Sequence, residues 1–463
     1  MGSNRRRFLQ STAGLTAAGA MGMPQVLLGA AGETLKPSER LNLAFVGVGG
    51  KGASSIGALH QHAIIGLCDV DDRTVATARS ERSWSARFDA LLSSAEKSGA
   101  RWYRDYRVML DELGDQLDGV VISTPDHMHF PIALSAINLG INVYCEKPLT
   151  HTVAEARLLA EAARQKGVVT QMGNQGHSND GVRLAREWIA AGAIGSVREV
   201  FSWTNRPIWP QGLAAPDHSE FIPVVPEGLD WALWQGVAEP RPYDPGYLPF
   251  SWRAWWDYGC GAVGDMACHV MDAAFFSLDL GLPESVSALA TEVNEQSAPN
   301  ASAITYRFPR QGERDAITYH WLDGGLLPPA LNGIDHAALL GPDKSGSLFV
   351  GSDGFLVTDT YTRTVRILPE AREAEVLADP PAQTIERIVG SHHDDWVRAI
   401  RNGGKACSDF DYGAPLTELG LLGNVAIRAR AAIDYDAAEM RVTNLAAANR
   451  FLAKTYPDGW ILS

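Results

Sequence analysis

Lys147, Asp265 and His269 are residue types that can oxidise an alcohol, although an isolated Asp-x-x-x-His is more often an ordinary helix-surface contact and a lone Glu-Lys-Pro a solvated turn. Drawing hydride from a secondary alcohol carbon needs a cation against the developing alkoxide, a base for the hydroxyl proton, and a fixed distance to a hydride acceptor. Lys147, within Glu146-Lys147-Pro148, can supply the cation. Asp265 and His269 stand four residues apart, which on a helix puts them on one face, so the carboxylate can orient or charge-tune the imidazole while His269 takes the proton. Such a pair is also half of a metal site, but no third ligand has sensible spacing, and no metal is expected. Residues 201–260 hold seven of the 13 tryptophans. Most are expected to fill a core; Trp209, in a proline-flanked loop, and Trp252 are the candidates for stacking on a sugar ring, with Arg206, Arg253 and Asp257 as hydroxyl partners.

A hydride acceptor needs its own seat, and the chain supplies one early. An apolar run from residue 41 leads into Gly47-Val48-Gly49-Gly50-Lys51-Gly52 and then a small-residue helix ending near Leu59. G-x-G-x-x-G between a strand and a helix is the dinucleotide fingerprint: Gly47 for the tight turn, Gly49 for backbone approach to a pyrophosphate, Gly52 for close helix packing. The next strand, over 63–70, carries Asp69, 22 residues after Gly47, where a carboxylate accepts ribose hydroxyls and repels a 2'-phosphate. NAD is therefore expected, with NADP less favoured; Arg73 leaves room for it. Strands over 119–123, 141–144 and 168–172 alternate with helices over 130–139 and 153–165, which predicts a doubly wound parallel sheet. Two strand ends carry Thr124-Pro125-Asp126-His127-Met128-His129 and Glu146-Lys147-Pro148, and ligands of such sheets lie at the carboxyl ends of strands.

Those two segments and the glycine motif resemble the Gfo/Idh/MocA family, named for glucose-fructose oxidoreductase, inositol 2-dehydrogenase and a rhizopine catabolism protein. The matching residues are Thr124-Pro125 with His129, Glu146-Lys147-Pro148, and Gly259-Cys260-Gly261 leading to Asp265 and His269, with Cys260 in place of the family's middle glycine. The resemblance runs from about Leu41 to the C-terminus; Leu416-Thr417-Glu418, Leu421-Leu422-Gly423-Asn424 and Asn449 to Gly459-Trp460 look like its exported, sugar-directed branch. It implies an α/β protein: an NAD-binding Rossmann domain over 38–172, then a substrate-binding α+β domain over 173–463 with an open, mostly antiparallel sheet, whose last helices are candidates to pack back on the first domain. It also implies Lys147, Asp265 and His269 as catalytic residues. Thr124, Pro125, His129, Glu146, Lys147 and Gln175 join the glycine loop and Asp69 as cofactor-binding residues, and Arg206, Trp209, Trp252, Arg253, Asp265 and His269 become the substrate set. His127 is left outside the site, and His392-His393-Asp394-Asp395 reads as the cap of a helix rather than a metal cluster.

Composition narrows the rest. The 463 residues are 46% hydrophobic, with 40 basic against 54 acidic residues and a net charge of −14, so neither a disordered chain nor a nucleic-acid surface fits. Five scattered cysteines contain no Cys-x-x-Cys pair. Residues 4–10, with Arg5-Arg6-Arg7 before Phe8-Leu9, precede an uncharged run over 11–28: the layout of a twin-arginine export signal, expected over 1–33 with cleavage near 30–33. An exported, periplasmic enzyme follows as the expectation, without stable membrane association after export and as a homo-oligomer, dimer or tetramer. The function expected is NAD-dependent oxidation of a secondary hydroxyl on a sugar, polyol or glycoside, with a tightly held cofactor because free dinucleotide is scarce outside the cytoplasm. Two alternatives stand beside it: a glycosidase working by transient C3 oxidation, elimination and re-reduction, and a non-catalytic sugar-binding protein.

Overall fold

The computed structural model describes residues 35–80, 85–330 and 345–460. The leader expected over 1–33 lies outside them. Apolar runs such as Gly119-Val120-Val121-Ile122, buried along their whole length, form central strands of a parallel sheet covered on both faces. Its strands are β1 (Asn42–Val46), β2 (Ala63–Cys68), β3 (Arg101–Tyr103), β4 (Gly119–Ile122), β5 (Asn142–Cys145) and β6 (Thr170–Met172), in spatial order β3-β2-β1-β4-β5-β6. All five pairings are parallel. Strand order reverses between β1 and β4, the switch point at which such sheets open a ligand crevice. Helices Gly52–Leu59, His129–Asn138 and Val153–Lys166 follow β1, β4 and β5, so the segments singled out in the sequence all emerge at the carboxyl edge.

The second lobe is a nine-stranded sheet built from β7 (Val197–Trp203), β8 (Ser285–Ala290), β9 (Ser302–Phe308), β10 (Ile317–Leu322), β11 (Gly346–Gly351), β12 (Phe355–Asp359), β13 (Val365–Leu368), β14 (Ile433–Asp436) and β15 (Arg441–Val442). The order is β13-β12-β11-β7-β10-β9-β8-β14-β15, antiparallel throughout except where β7 runs parallel to β10. β9 and β10 alternate buried and half-exposed residues, the period of a sheet with one face covered. Helix Gly261–Val270 and the 20-residue helix Phe410–Ala429 lie between the two sheets and share one buried core with both.

The C-terminal quarter crosses back to the first lobe. Helix His392–Asn402 places Trp396, fully buried, in the core formed by Leu43, Phe45, Val121 and Tyr144. Gly119 faces the indole so closely that a Cβ there would sit 2.6 Å from Trp396 Cη2. The edge strand β6 is sealed by the same region, with Met172 N–H donating to the Ser408 carbonyl and Phe410 N–H to Thr170 Oγ1. The His392-His393-Asp394-Asp395 run is the first turn of this helix, with Ser391 as N-cap and Asp394 closing the capping box.

Candidate active site

Lys147 leaves the end of β5 and reaches helix Gly261–Val270, where its Nζ donates to the Asp265 carbonyl (2.6 Å) and to Asp265 Oδ1 (3.0 Å). Two further cations meet the same carboxylate: Arg253 Nε at 3.3 Å and Arg206 Nε at 3.6 Å. One carboxylate thus binds three cations. Burial disfavours the Lys147 ammonium, but Asp265 outweighs it and holds the lysine pKa above its ordinary value. Burial likewise works against the Asp265 carboxylate, yet Lys147, Arg253 and Arg206 together keep it well below the usual carboxylate range.

The expected Asp265–His269 pairing is corrected. No hydrogen bond joins them, because Asp265 turns to the cations, and His269 Nδ1 is buried without a partner. The His269 ring instead meets the edge of Tyr361, with centroids 5.0 Å apart. Burial first, then the nearby Lys147 charge, drives its pKa well below the ordinary value, so the imidazole is neutral.

The dinucleotide seat is tightly specified. Gly47 has φ +82°, and a Cβ on it would stand 2.7 Å from the Ser123 carbonyl oxygen; one on Gly50 would meet nothing within 4 Å. Helix Gly52–Leu59 follows without a side-chain cap on its first turn, the arrangement that binds anions. Asp69, at the end of β2, accepts from the backbone N–H groups of Val48 (2.8 Å), Gly49 (3.2 Å) and Asp71 (3.0 Å). Burial pushes its carboxyl up to about 6 against those bonds. At the end of β4, Ser123 Oγ and Thr124 Oγ1 are buried without partners, two polar atoms on the crevice wall that a ligand would satisfy. Glycine clearance, uncapped helix start, ribose-side carboxylate and orphaned hydroxyls together fit a bound dinucleotide.

Other expected residues fall into place differently. Glu146 is held by Gln175 Nε2 (2.8 Å) and Lys51 (3.6 Å), and Gln175 also donates to Tyr144 Oη (3.0 Å), so the three knit the loops after β1, β5 and β6. His129, expected as a cofactor contact, is 1% exposed, with Nδ1 at 2.7 Å from the Pro148 carbonyl and Nε2 at 2.9 Å from that of Thr124. Both nitrogens are occupied, so it fixes the β4 and β5 loops, and hence Lys147. Pro125 opens the short Asp126–Met128 turn between Thr124 and His129. Trp209 and Trp252, expected as sugar platforms, are only 5% and 9% exposed, and the Arg253 guanidinium lies over both rings. They brace Arg253 instead. Asp257 is paired with Arg241. Among the described residues no three His, Cys, Asp or Glu side chains converge as metal ligands.

Four residues were missed in the sequence. Asp126, buried, accepts the Cys260 N–H (3.1 Å) and so sets the start of the Asp265 helix from the end of β4; it lay within the quoted strand-end segment. His177 forms a buried pair with Asp272, three residues beyond His269, its Nδ1 3.0 Å from both carboxylate oxygens. Tyr361 comes from the turn between β12 and β13 and carries no sequence signal.

Comparison with known proteins gives the family. Residues 41–174 match the model of an oxidoreductase family with an NAD-binding Rossmann fold, and residues 208–323 the C-terminal alpha/beta domain of the same family, together more than half of the chain. Levoglucosan dehydrogenase of Pseudarthrobacter phenanthrenivorans is 28% identical over 210 residues, 45% of this chain and 44% of that protein. Inositol 2-dehydrogenase of Rubrobacter xylanophilus is 28% identical over 164 residues, 34% of this chain and 42% of the relative. The chain thus matches less than half the length of these relatives. The WlbA dehydrogenase of Bordetella pertussis, solved with NADH and UDP-GlcNAcA, has the same fold, with a TM-score of 0.56 at 16% identity over 86% of this chain and 99% of that one.

Proposed function

Because the chain belongs to the Gfo/Idh/MocA oxidoreductase family, we propose that it oxidises a secondary hydroxyl of a sugar, polyol or glycoside with a retained NAD. The observation that carries this reading is Lys147 Nζ held 3.0 Å from Asp265 Oδ1 beside a neutral His269, across the crevice from the glycine loop. Bound NAD would supply a hydride acceptor. The Lys147 ammonium, kept charged by Asp265, stabilises the alkoxide that forms as the hydroxyl proton leaves. His269, neutral and with Nδ1 buried, receives that proton at Nε2. Arg206, fixed on Asp265, and Arg253, fixed on Asp265 and over the Trp209 and Trp252 rings, donate to neighbouring hydroxyls.

NAD rather than NADP is supported by Arg73, which follows the Asp69 strand end. Its Nε and NH2 are bound to Asp71 at 2.8 and 2.7 Å and so are committed away from a 2'-phosphate. Export is part of the same proposal, supported by Arg5-Arg6-Arg7 and the uncharged run behind it, and it makes cofactor retention a requirement. The test is acid release of nucleotide from protein purified without added NAD, followed by a glycoside screen read at 340 nm. Bound NAD and a sugar-dependent absorbance change are expected. Empty protein that needs millimolar NAD and accumulates free NADH overturns the retained-cofactor reading; reducing sugar released without absorbance change points to the transient-oxidation route.

A further inference from the structure

Residues 228–236 of the second lobe are anchored at both banks of the crevice. On the β2 side, just past Asp69, Leu229 forms an antiparallel bridge with Asp71, Asp230 N–H donates to the Val70 carbonyl (2.9 Å) and Asp72 N–H to the Gly228 carbonyl (3.0 Å). Arg104, just after β3, clamps this junction: one guanidinium nitrogen reaches the Val70 and Gly228 carbonyls (3.3 and 3.2 Å) and another pairs with Asp72. Gly228 takes φ +86°, and a Cβ there would lie 3.4 Å from Asp72 Cβ. Asp230 then caps the short helix Trp231–Gln235 by accepting from Leu233 N–H (3.0 Å).

The segment reaches the β4 side in the same few residues. His127 Nε2 meets the Trp234 carbonyl at 3.0 Å, and Gly236 packs so closely on Met128 that a side chain there would overlap its sulfur. Leu229 and Trp234 are buried in an aromatic cluster against which Val70, the residue after Asp69, also packs. β1, with its glycine loop, lies between β2 and β4. A ribose seated on Asp69 therefore lies between two banks that the segment joins.

The geometry points to residues 228–236 as a clasp that closes over the adenosine half of the bound dinucleotide and sets its release rate. The inference rests on the retained-cofactor reading and gives it a physical cause: the pyrophosphate seat is open to exchange in any Rossmann crevice, but adenosine under a span hydrogen-bonded at both ends leaves only when the bonds at Asp71 and Asp72 open. The segment holds only the one short helix Trp231–Gln235, so its place is fixed by the two loops it joins.

The experiment locks and loosens the span. The Cβ separation at Gly228 and Asp72 is close to that of a disulfide, so Gly228→Cys with Asp72→Cys should cross-link. The full chain is loaded with NAD while reduced, oxidised, and diluted into alcohol dehydrogenase and ethanol, which report released NAD at 340 nm. The oxidised double variant should release NAD at least tenfold more slowly than its own dithiothreitol-reduced form. Arg104→Ala, which leaves both ends of the span in sequence but removes the clamp, should release it at least tenfold faster than the unaltered chain. A cross-linked form that releases NAD as fast as its reduced form, or an Arg104→Ala rate equal to that of the unaltered chain, overturns the clasp. Release within seconds from the unaltered chain would instead end the retained-cofactor reading, while the oxidised-to-reduced ratio would still decide the clasp.

Discussion

At the scale of single residues, the site is a lysine whose charge is owed chiefly to Asp265. Lys147→Ala should lower hydride transfer by about 10²- to 10⁴-fold, the usual worth of a positioned proton-transfer or charge-stabilising group, with NAD still bound; single-turnover absorbance at 340 nm reads both. Asp265→Asn separates two roles. With the carboxylate gone, only Glu146 still opposes burial and Arg253 at Lys147, so its pKa moves down. The basic limb of the pH–rate profile should then shift to lower pH, whereas a purely structural role for Asp265 would lower the rate and leave the limb in place. Lys147 and Asp265 were legible because each sits in a motif at the end of a strand or the start of a helix. Their relation was not, since two of the cations that claim Asp265 come from Arg206, in a loop, and Arg253, in the single 3-10 turn Ser251–Ala254, and a spacing of four suggested His269 instead.

At the scale of elements, the first sheet was readable strand by strand because parallel strands are continuous apolar runs between helices. The second sheet was readable only as a class. Its one parallel pair joins β7 to β10 across more than a hundred residues, and no local pattern encodes which strands meet. Helix His392–Asn402 shows what such long-range choices decide. Its histidines and aspartates suggested a cap, which Ser391 and Asp394 provide, but Trp396 on the same helix fills the first lobe's core. Trp396→Ala should cost about 3–5 kcal/mol of stability, as large aromatic deletions do, measured as a lower midpoint in equilibrium denaturation. Because the cavity opens beneath β1 and β4, NAD binding should weaken with it, which isothermal titration would record.

At the scale of the molecule, acid sensitivity follows from its buried imidazoles. His62 and His392 titrate at about 4 and His127 at about 3, while His151, His269 and His393 are also held below their ordinary value, all chiefly by burial. An unfolded histidine takes its proton near 6.5, so from there down to about 4 the unfolded chain binds more protons and stability falls as pH falls. Asp69 and Asp323, raised by burial to about 6, act in the opposite sense over part of that window but are fewer. Thermal unfolding should therefore move to lower temperature between pH 6.5 and 4; a flat midpoint across that range would count against neutral buried histidines. The return of the chain's last quarter to the first lobe has a consequence for the order of events during synthesis. The core around Trp396 and the sealed edge of β6 both wait for residues 396–410, so the nucleotide-binding half cannot finish folding while it is the only part outside the ribosome. Lobes that look sequential along the chain mature together, and the cofactor's seat is completed near the end of translation.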